Sequence, residues 1–173
     1  MKNLKKLIVL FSVTLLFISC KSDESVLQVE NSQILGLWKL TELTEDGTTT
    51  TTSQGISISA TFTTYAKNID AELNFTENPN KFDSSGSYTS VVTTEILGQQ
   101  TVQEVPINDF IGTGDWEING NTITVTSYGE VNTAEVLELN ESKLKLKILY
   151  NREFSAADTD IKTDIEVYYT LTK

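Results

Sequence analysis

The side chains able to do chemistry in this chain are few in kind. Among 173 residues there is no histidine, one cysteine at Cys20 and one arginine at Arg152. A Ser-His-Asp or Cys-His nucleophile needs an imidazole base, and a zinc centre needs imidazoles or several thiolates, so neither can be assembled. What remains is carboxylates, hydroxyls, tyrosines and lysines. The densest acidic spacing is Asp158, Asp160, Asp164 and Glu166. Calcium loops of the EF-hand type also need a turn glycine and a terminal glutamate in register, which this segment lacks, so it reads as a solvated acidic loop. A glycosidase needs two carboxylates at a set separation in space, which linear sequence does not encode. The expectation is a protein that is not an enzyme, with no catalytic residues, no metal and no cofactor.

Charge and the position of the one thiol narrow the partners. Lys2, Lys5 and Lys6 precede an apolar run from Leu7 to Ile18, broken only by Ser12 and Thr14, that ends at Ser19-Cys20. Basic-then-apolar order of this length is a secretory leader, too short for a membrane-spanning helix. A small residue directly before Cys20 resembles the lipobox of bacterial lipoproteins, which implies cleavage of residues 1–19 and attachment to a membrane through acyl chains on Cys20. The flank Lys21-Ser22-Asp23-Glu24 resembles the lysine-plus-acidic export signal of Bacteroidetes-type lipoproteins. That likeness implies the outer membrane, with a surface-exposed orientation allowed. Cleavage would remove three of the 13 basic residues and none of the 24 acidic ones, leaving a net charge of −14. Nucleic acid is excluded as a partner, because phosphate binding needs clustered Lys and Arg, and anionic lipid is equally poor. With no second thiol there is no intrachain disulfide, so a hydrophobic core must supply the stability.

The elements that would position these groups are strands. Residues 20–33 are mostly polar and read as a flexible tether, and residues 34–173 as one domain. Short alternating runs rich in Val, Ile, Thr, Tyr and Phe follow, punctuated by Gly and Asn. Ile34–Glu42 puts Trp38 and Leu40 on one face. Leu43–Gly55, with Glu45-Asp46-Gly47 and the threonines at 48–52, reads as a polar loop. Ile56–Thr63 and Ile69–Phe75 read as two half-buried strands, stopped at Asn78-Pro79-Asn80 because proline cannot donate to a ladder. Gly86–Leu97 and Thr101–Ile107 are expected to join through Gly98-Gln99-Gln100. Asp115–Ile118 and Thr122–Ser127 flank the turn pair Asn119-Gly120, and Val131–Leu139 and Lys143–Tyr150 flank Asn140-Glu141-Ser142. A polar loop with Asp158 and Asp160 leads to Ile161–Thr172. Consecutive antiparallel strands with short links predict an all-β meander closing into a small up-and-down barrel of about eight to ten strands, since closure removes exposed edges.

Gly36-Leu37-Trp38 on the first strand resembles the first-strand signature of lipocalins. Leu73–Phe75, Gly86–Tyr88 and Trp116–Val125 extend the likeness to the lipocalin-like lipoproteins of Bacteroidetes. A second lipocalin signature is absent, the chain ends in a strand, and Arg152 precedes the final strand, so the lipocalin arginine role is not carried over to it. The resemblance implies a small apolar or amphipathic ligand in the barrel, and strand alternation makes Trp38, Phe62, Phe75, Tyr88, Trp116 and Tyr169 the candidate interior or ligand-lining residues. The alternative is a cell-surface interaction or scaffold protein whose barrel is filled by side chains and whose loops meet protein or glycan.

Overall fold

The computed structural model describes residues 29–108 and 111–173, so Cys20, the leader and the Lys21–Glu24 flank lie outside the described residues. One short helix, α1 (Asn31–Ile34), precedes nine strands: β1 (Gly36–Ser53), β2 (Ile56–Thr76), β3 (Lys81–Ile96), β4 (Gln99–Asn108), β5 (Thr113–Asn119), β6 (Thr122–Ser127), β7 (Glu130–Leu139), β8 (Lys143–Ala156) and β9 (Thr159–Thr172). Sheet order is β2-β1-β9-β8-β7-β6-β5-β3-β4, and an extra β2–β3 pairing closes eight of the strands into a ring. The fold is all-β and antiparallel, as the alternating runs predict.

β4 departs from a simple meander. It pairs only with Ser87–Ile96 of β3, while β5 takes the other end of β3 at Lys81–Asp83. The cause is a mismatch of lengths: β3 has 16 residues and β5 has seven, so β3 outruns the ring and β4 covers its surplus edge. The far halves of β1, β2, β8 and β9 also outrun the ring. They continue as an open six-stranded sheet, ordered β4-β3-β2-β1-β9-β8, above one end of the closed barrel. At about 3.3 Å per residue, the 21 residues of β2 run roughly 65 Å from the closed base to the tip of this sheet.

Three expectations need correction. The polar loop expected at Leu43–Gly55 is strand to Ser53, because threonine suits a pleated backbone and Gly47 adopts an extended conformation there. The two runs at 56–63 and 69–75 are one strand, bent by a register shift between Lys67 and Asp70 where Asn68 has φ of 52°. The expected acidic loop shrinks to a tight turn, since Ala156 pairs directly with Thr159. Turns at Gln54-Gly55, Leu97-Gly98 and Tyr128-Gly129 each carry positive φ at both residues, the primed geometry that matches strand twist.

The core fills the closed end. Trp38, Leu43, Ile123, Leu144, Leu171 and Val136 are among its most buried side chains. The base is plugged from within the stretch read as tether. Val29 N donates to Gly120 O at 3.1 Å, and Trp38 Nε1 donates to Ile34 O at 2.6 Å. Lys173 closes over the same place, its ammonium 4.4 Å from the centre of the Trp38 ring. α1 is held at its start by Glu30 N, which donates to the Gln33 side-chain carbonyl at 2.9 Å and so satisfies a donor the helix cannot. Residues 29–33 are therefore ordered structure, with Val29 packed in the core and residues 30–33 exposed above it, which the polar composition alone conceals.

Candidate functional site

Strand register sorts side chains by face. Glu45 of β1 lies opposite Thr64 of β2 and Val167 of β9, and Leu43 lies opposite Tyr169. Leu43 and Val167 are buried, so this is the inner face, and Glu45, Thr64 and Tyr169 share it. Tyr150 of β8 pairs with Ile165, two residues before Val167, and joins them. Tyr88 enters from β3, packed against the core. These groups stand at the mouth, where the ring ends and the open sheet begins.

Their electrostatics are coupled. Burial raises the Glu45 carboxyl above its ordinary range, and the nearby Thr64 hydroxyl partly offsets this. Thr64 Oγ1 is itself buried and reaches no hydrogen bond of good geometry among the described residues, so the two groups are close but imperfectly aligned. Burial, with the Glu45 charge second, pushes Tyr88 up to about 12. Tyr150 is raised chiefly by burial, with Arg152 opposing and Glu45 and Glu130 adding. Tyr169 is raised by burial and then by Tyr150, Tyr88 and Glu45. All three phenols thus stay neutral donors well beyond neutral pH.

Three spaces bear on this site. Inside the closed barrel, a dry pocket between Phe75, Phe82, Ile123, Leu146 and Tyr169 has about 40 Å³. That is far below the few hundred Å³ of an ordinary ligand cavity. At the mouth, where β7 stops and β8 continues, an open recess of about 500 Å³ is lined by Glu130, Asn132, Ile148, Tyr150 and Arg152. Ile148 borders both spaces, Tyr150 lines the recess and Tyr169 lines the inner pocket. A groove of about 540 Å³ on the opposite face of the long strands, walled by Asp46, Thr61, Thr63, Asp164 and Glu166, holds no aromatic cluster.

The six interior candidates separate accordingly. Trp38, Phe75 and Trp116 belong to the filled closed end. Trp116 sits edge-on to Phe75 at 5.8 Å, and its Nε1 donates to Thr76 O and Lys81 O, clamping the β2–β3 turn. Phe62 lies half-buried in the open sheet, its ring across Gly47, where an added Cβ would be 2.1 Å from it. Tyr88 and Tyr169 reach the mouth. Sequence reading missed Glu45, Thr64 and Tyr150 as members of this group. The first was masked by Asp46-Gly47, a strong turn signal, and Tyr150 by its place at the end of an apolar run. Asp158, Asp160, Asp164 and Glu166 do not converge. Asp164 pairs with Lys162 and Glu166 with Lys147.

Glu45 carries a prediction of its own. Because its folded-state pKa lies above the unfolded value near 4.5, the folded protein holds that proton more tightly, and ionisation as pH rises toward neutrality costs stability. Glu45→Gln is expected to raise Tm by about 1–4 °C at pH 7, a gain that fades near pH 3. Thermal melts at both pH values check it. A loss of Tm at pH 7 would mean the carboxylate is stabilised by a partner instead.

Residues 34–146 match the model of the lipocalin-like domain. No curated protein and no solved structure matches the chain. The matched span runs from the Ile34 plug through β1 to β7 and into the start of β8 at Leu146, and so covers seven of the nine strands and, at the mouth, Glu45, Thr64 and Tyr88, while Tyr150 and Tyr169 lie beyond it. The chain belongs to the lipocalin-like domain family.

Proposed function

We propose that this chain is a lipid-anchored lipocalin-like protein of the outer membrane that binds a small apolar or amphipathic molecule at the mouth of its barrel, without catalysis. The observation that carries the reading is the division of space: about 40 Å³ inside the closed end against about 500 Å³ at the mouth beside Tyr150. A ligand would rest on the tyrosine–carboxylate floor under the open sheet, with the plugged base beneath it. The anchor fits this polarity. Cys20 is nine residues before Val29, a span of at most about 30 Å, and Val29 is fixed at the base beside Gly120. Acyl chains on Cys20 would hold the base to the membrane and turn the mouth away from it.

Native mass spectrometry of the protein extracted from its host membrane tests this. The expected result is an acylated chain with a retained small molecule that Tyr150→Ala releases, while Cys20→Ser leaves the protein in the soluble fraction. A bare mass in wild type and variant alike would remove the ligand reading. One observation favours a surface-interaction protein as a second reading: β4 is an edge strand, and Val102, Val105 and the neighbouring Leu97 are exposed. Cross-linking on intact cells that captures one protein at β4 would favour it.

A further inference from the structure

We infer that the mouth selects a ligand carrying a cationic head group, an ammonium held by Glu45 among Tyr88, Tyr150 and Tyr169. This deepens the ligand-binding reading above and rests on it. Four observations converge on the head group.

Glu45 is a half-buried acid on the inner face with no lysine or arginine paired to it among the described residues. The ion pairs of the described residues use Lys39, Lys67, Lys81, Lys143, Lys147 and Lys162, all on the outside of their strands. The one arginine, Arg152, is exposed at the rim of the recess, beyond Tyr150, and leaves Glu45 uncompensated. A carboxylate withdrawn from water without a counter-ion destabilises the fold, and a bound cation would reverse that cost.

The groups around Glu45 suit an ammonium better than an anion. Phenol rings present negative π-faces, and several such faces around one acid form the cage that recognises alkylated ammonium groups. Strand register gathers the walls: Tyr169 of β9 lies opposite Leu43, two residues from Glu45 on the same face, Tyr150 of β8 reaches that face beside Ile165, and Tyr88 of β3 packs against the same core. The buried Thr64 hydroxyl beside Glu45 lacks a well-aligned partner and offers an oxygen to a bound N–H. The overall field agrees. Even with its leader the chain carries a net charge of −11, which draws cations toward a concave site and repels anions.

The test uses three amphiphiles with one tail, each below its micelle-forming concentration: decyltrimethylammonium, decyl maltoside and decyl sulfate. Isothermal titration of the wild-type protein is expected to show the ammonium binding about tenfold tighter than the maltoside, with the sulfate weakest. Glu45→Gln should reduce the ammonium affinity about tenfold and bring the three affinities together. Asp46→Asn removes the same charge from the exposed outer side of the same strand and should leave the ammonium affinity as in wild type. Melting curves confirm that both variants are folded. Equal wild-type affinities for all three amphiphiles would overturn the head-group inference while leaving a mouth that binds by apolar contact. An equal loss in Asp46→Asn and Glu45→Gln would overturn it too, by showing that net charge rather than the cage sets the preference. No binding of any amphiphile would overturn the ligand-binding reading itself.

Discussion

Trp38→Ala is expected to cost about 3–5 kcal/mol of stability, the range for emptying a buried aromatic site, and to loosen the N-terminal plug at the same time. Trp38 is fully buried, and its indole fills the base between α1 and Lys173. Truncation removes that volume, leaves the Ile34 carbonyl without the 2.6 Å donor, and strips Lys173 of the ring beneath it. Trp38→Phe keeps most of the packing and loses mainly the hydrogen bond, so it should cost about 1–3 kcal/mol. Urea unfolding measures both losses, and hydrogen exchange at the Val29 amide, which donates to Gly120 O, reports the plug. Equal losses in the two variants would refute the packing account and assign the effect to the indole donor.

The second large effect lies at Gly86. Here β3 crosses the bend in β2 with backbone against backbone: an added Cβ would be 1.9 Å from the Asp70 carbonyl oxygen and 2.9 Å from the Ala71 Cα. Neither atom can swing aside as a side chain can. Gly86 also has φ of 89°, disfavoured for any other residue. Gly86→Ala should therefore cost about 3 kcal/mol or more, combining backbone strain with overpacking. Gly98→Ala separates the two causes. Its φ is 77°, but nothing lies within 4 Å of its Cβ position, so it should lose only about 1–2 kcal/mol. Denaturation midpoints of the two variants decide the matter, and similar losses would mean that close approach at Gly86 contributes nothing.

Those two sites also mark what sequence patterning can reach. Alternation is a local property, and it places Leu144, Leu146 and Ile148 inward against Lys143, Lys145 and Lys147 because one face of β8 is buried and the other wet. It also places Val167, Tyr169 and Leu171 correctly on the inner face of β9. It fails where a residue's role is set by something distant. Gly47 looks like the end of a turn because Asp-Gly so often is one, yet it is an extended strand residue whose missing side chain gives Phe62 room for its ring. Once that turn is assumed, Glu45 falls into a loop and the inner acid vanishes from view. The plug at Val29 is hidden for a similar reason, since a few polar residues around one valine have no periodicity to detect. Trp38 illustrates the opposite case: a lone tryptophan after a glycine on the first strand announces burial, though not the carbonyl it binds. The mouth cluster draws on β1, β2, β3, β8 and β9 at once, five neighbouring strands joined only by the long-range pairing of β1 with β9, which no local pattern encodes.

The ring's seam has a consequence for how the chain acquires its structure. β1 pairs with β9, so Leu40 meets Leu171 and Lys39 meets Thr172 from opposite ends of the chain. Contacts of such sequence separation are slow to form, because nearly the whole chain must be threaded into place before they contribute anything. Until its last strand is available, β1 has one neighbour where the finished barrel gives it two, and its core face stays half wet. The domain therefore completes itself late. The hairpins β1–β2, β2–β3 and β3–β4 join neighbours in sequence and need nothing from the C-terminus, whereas the ring closes only when Ile161–Thr172 is in place.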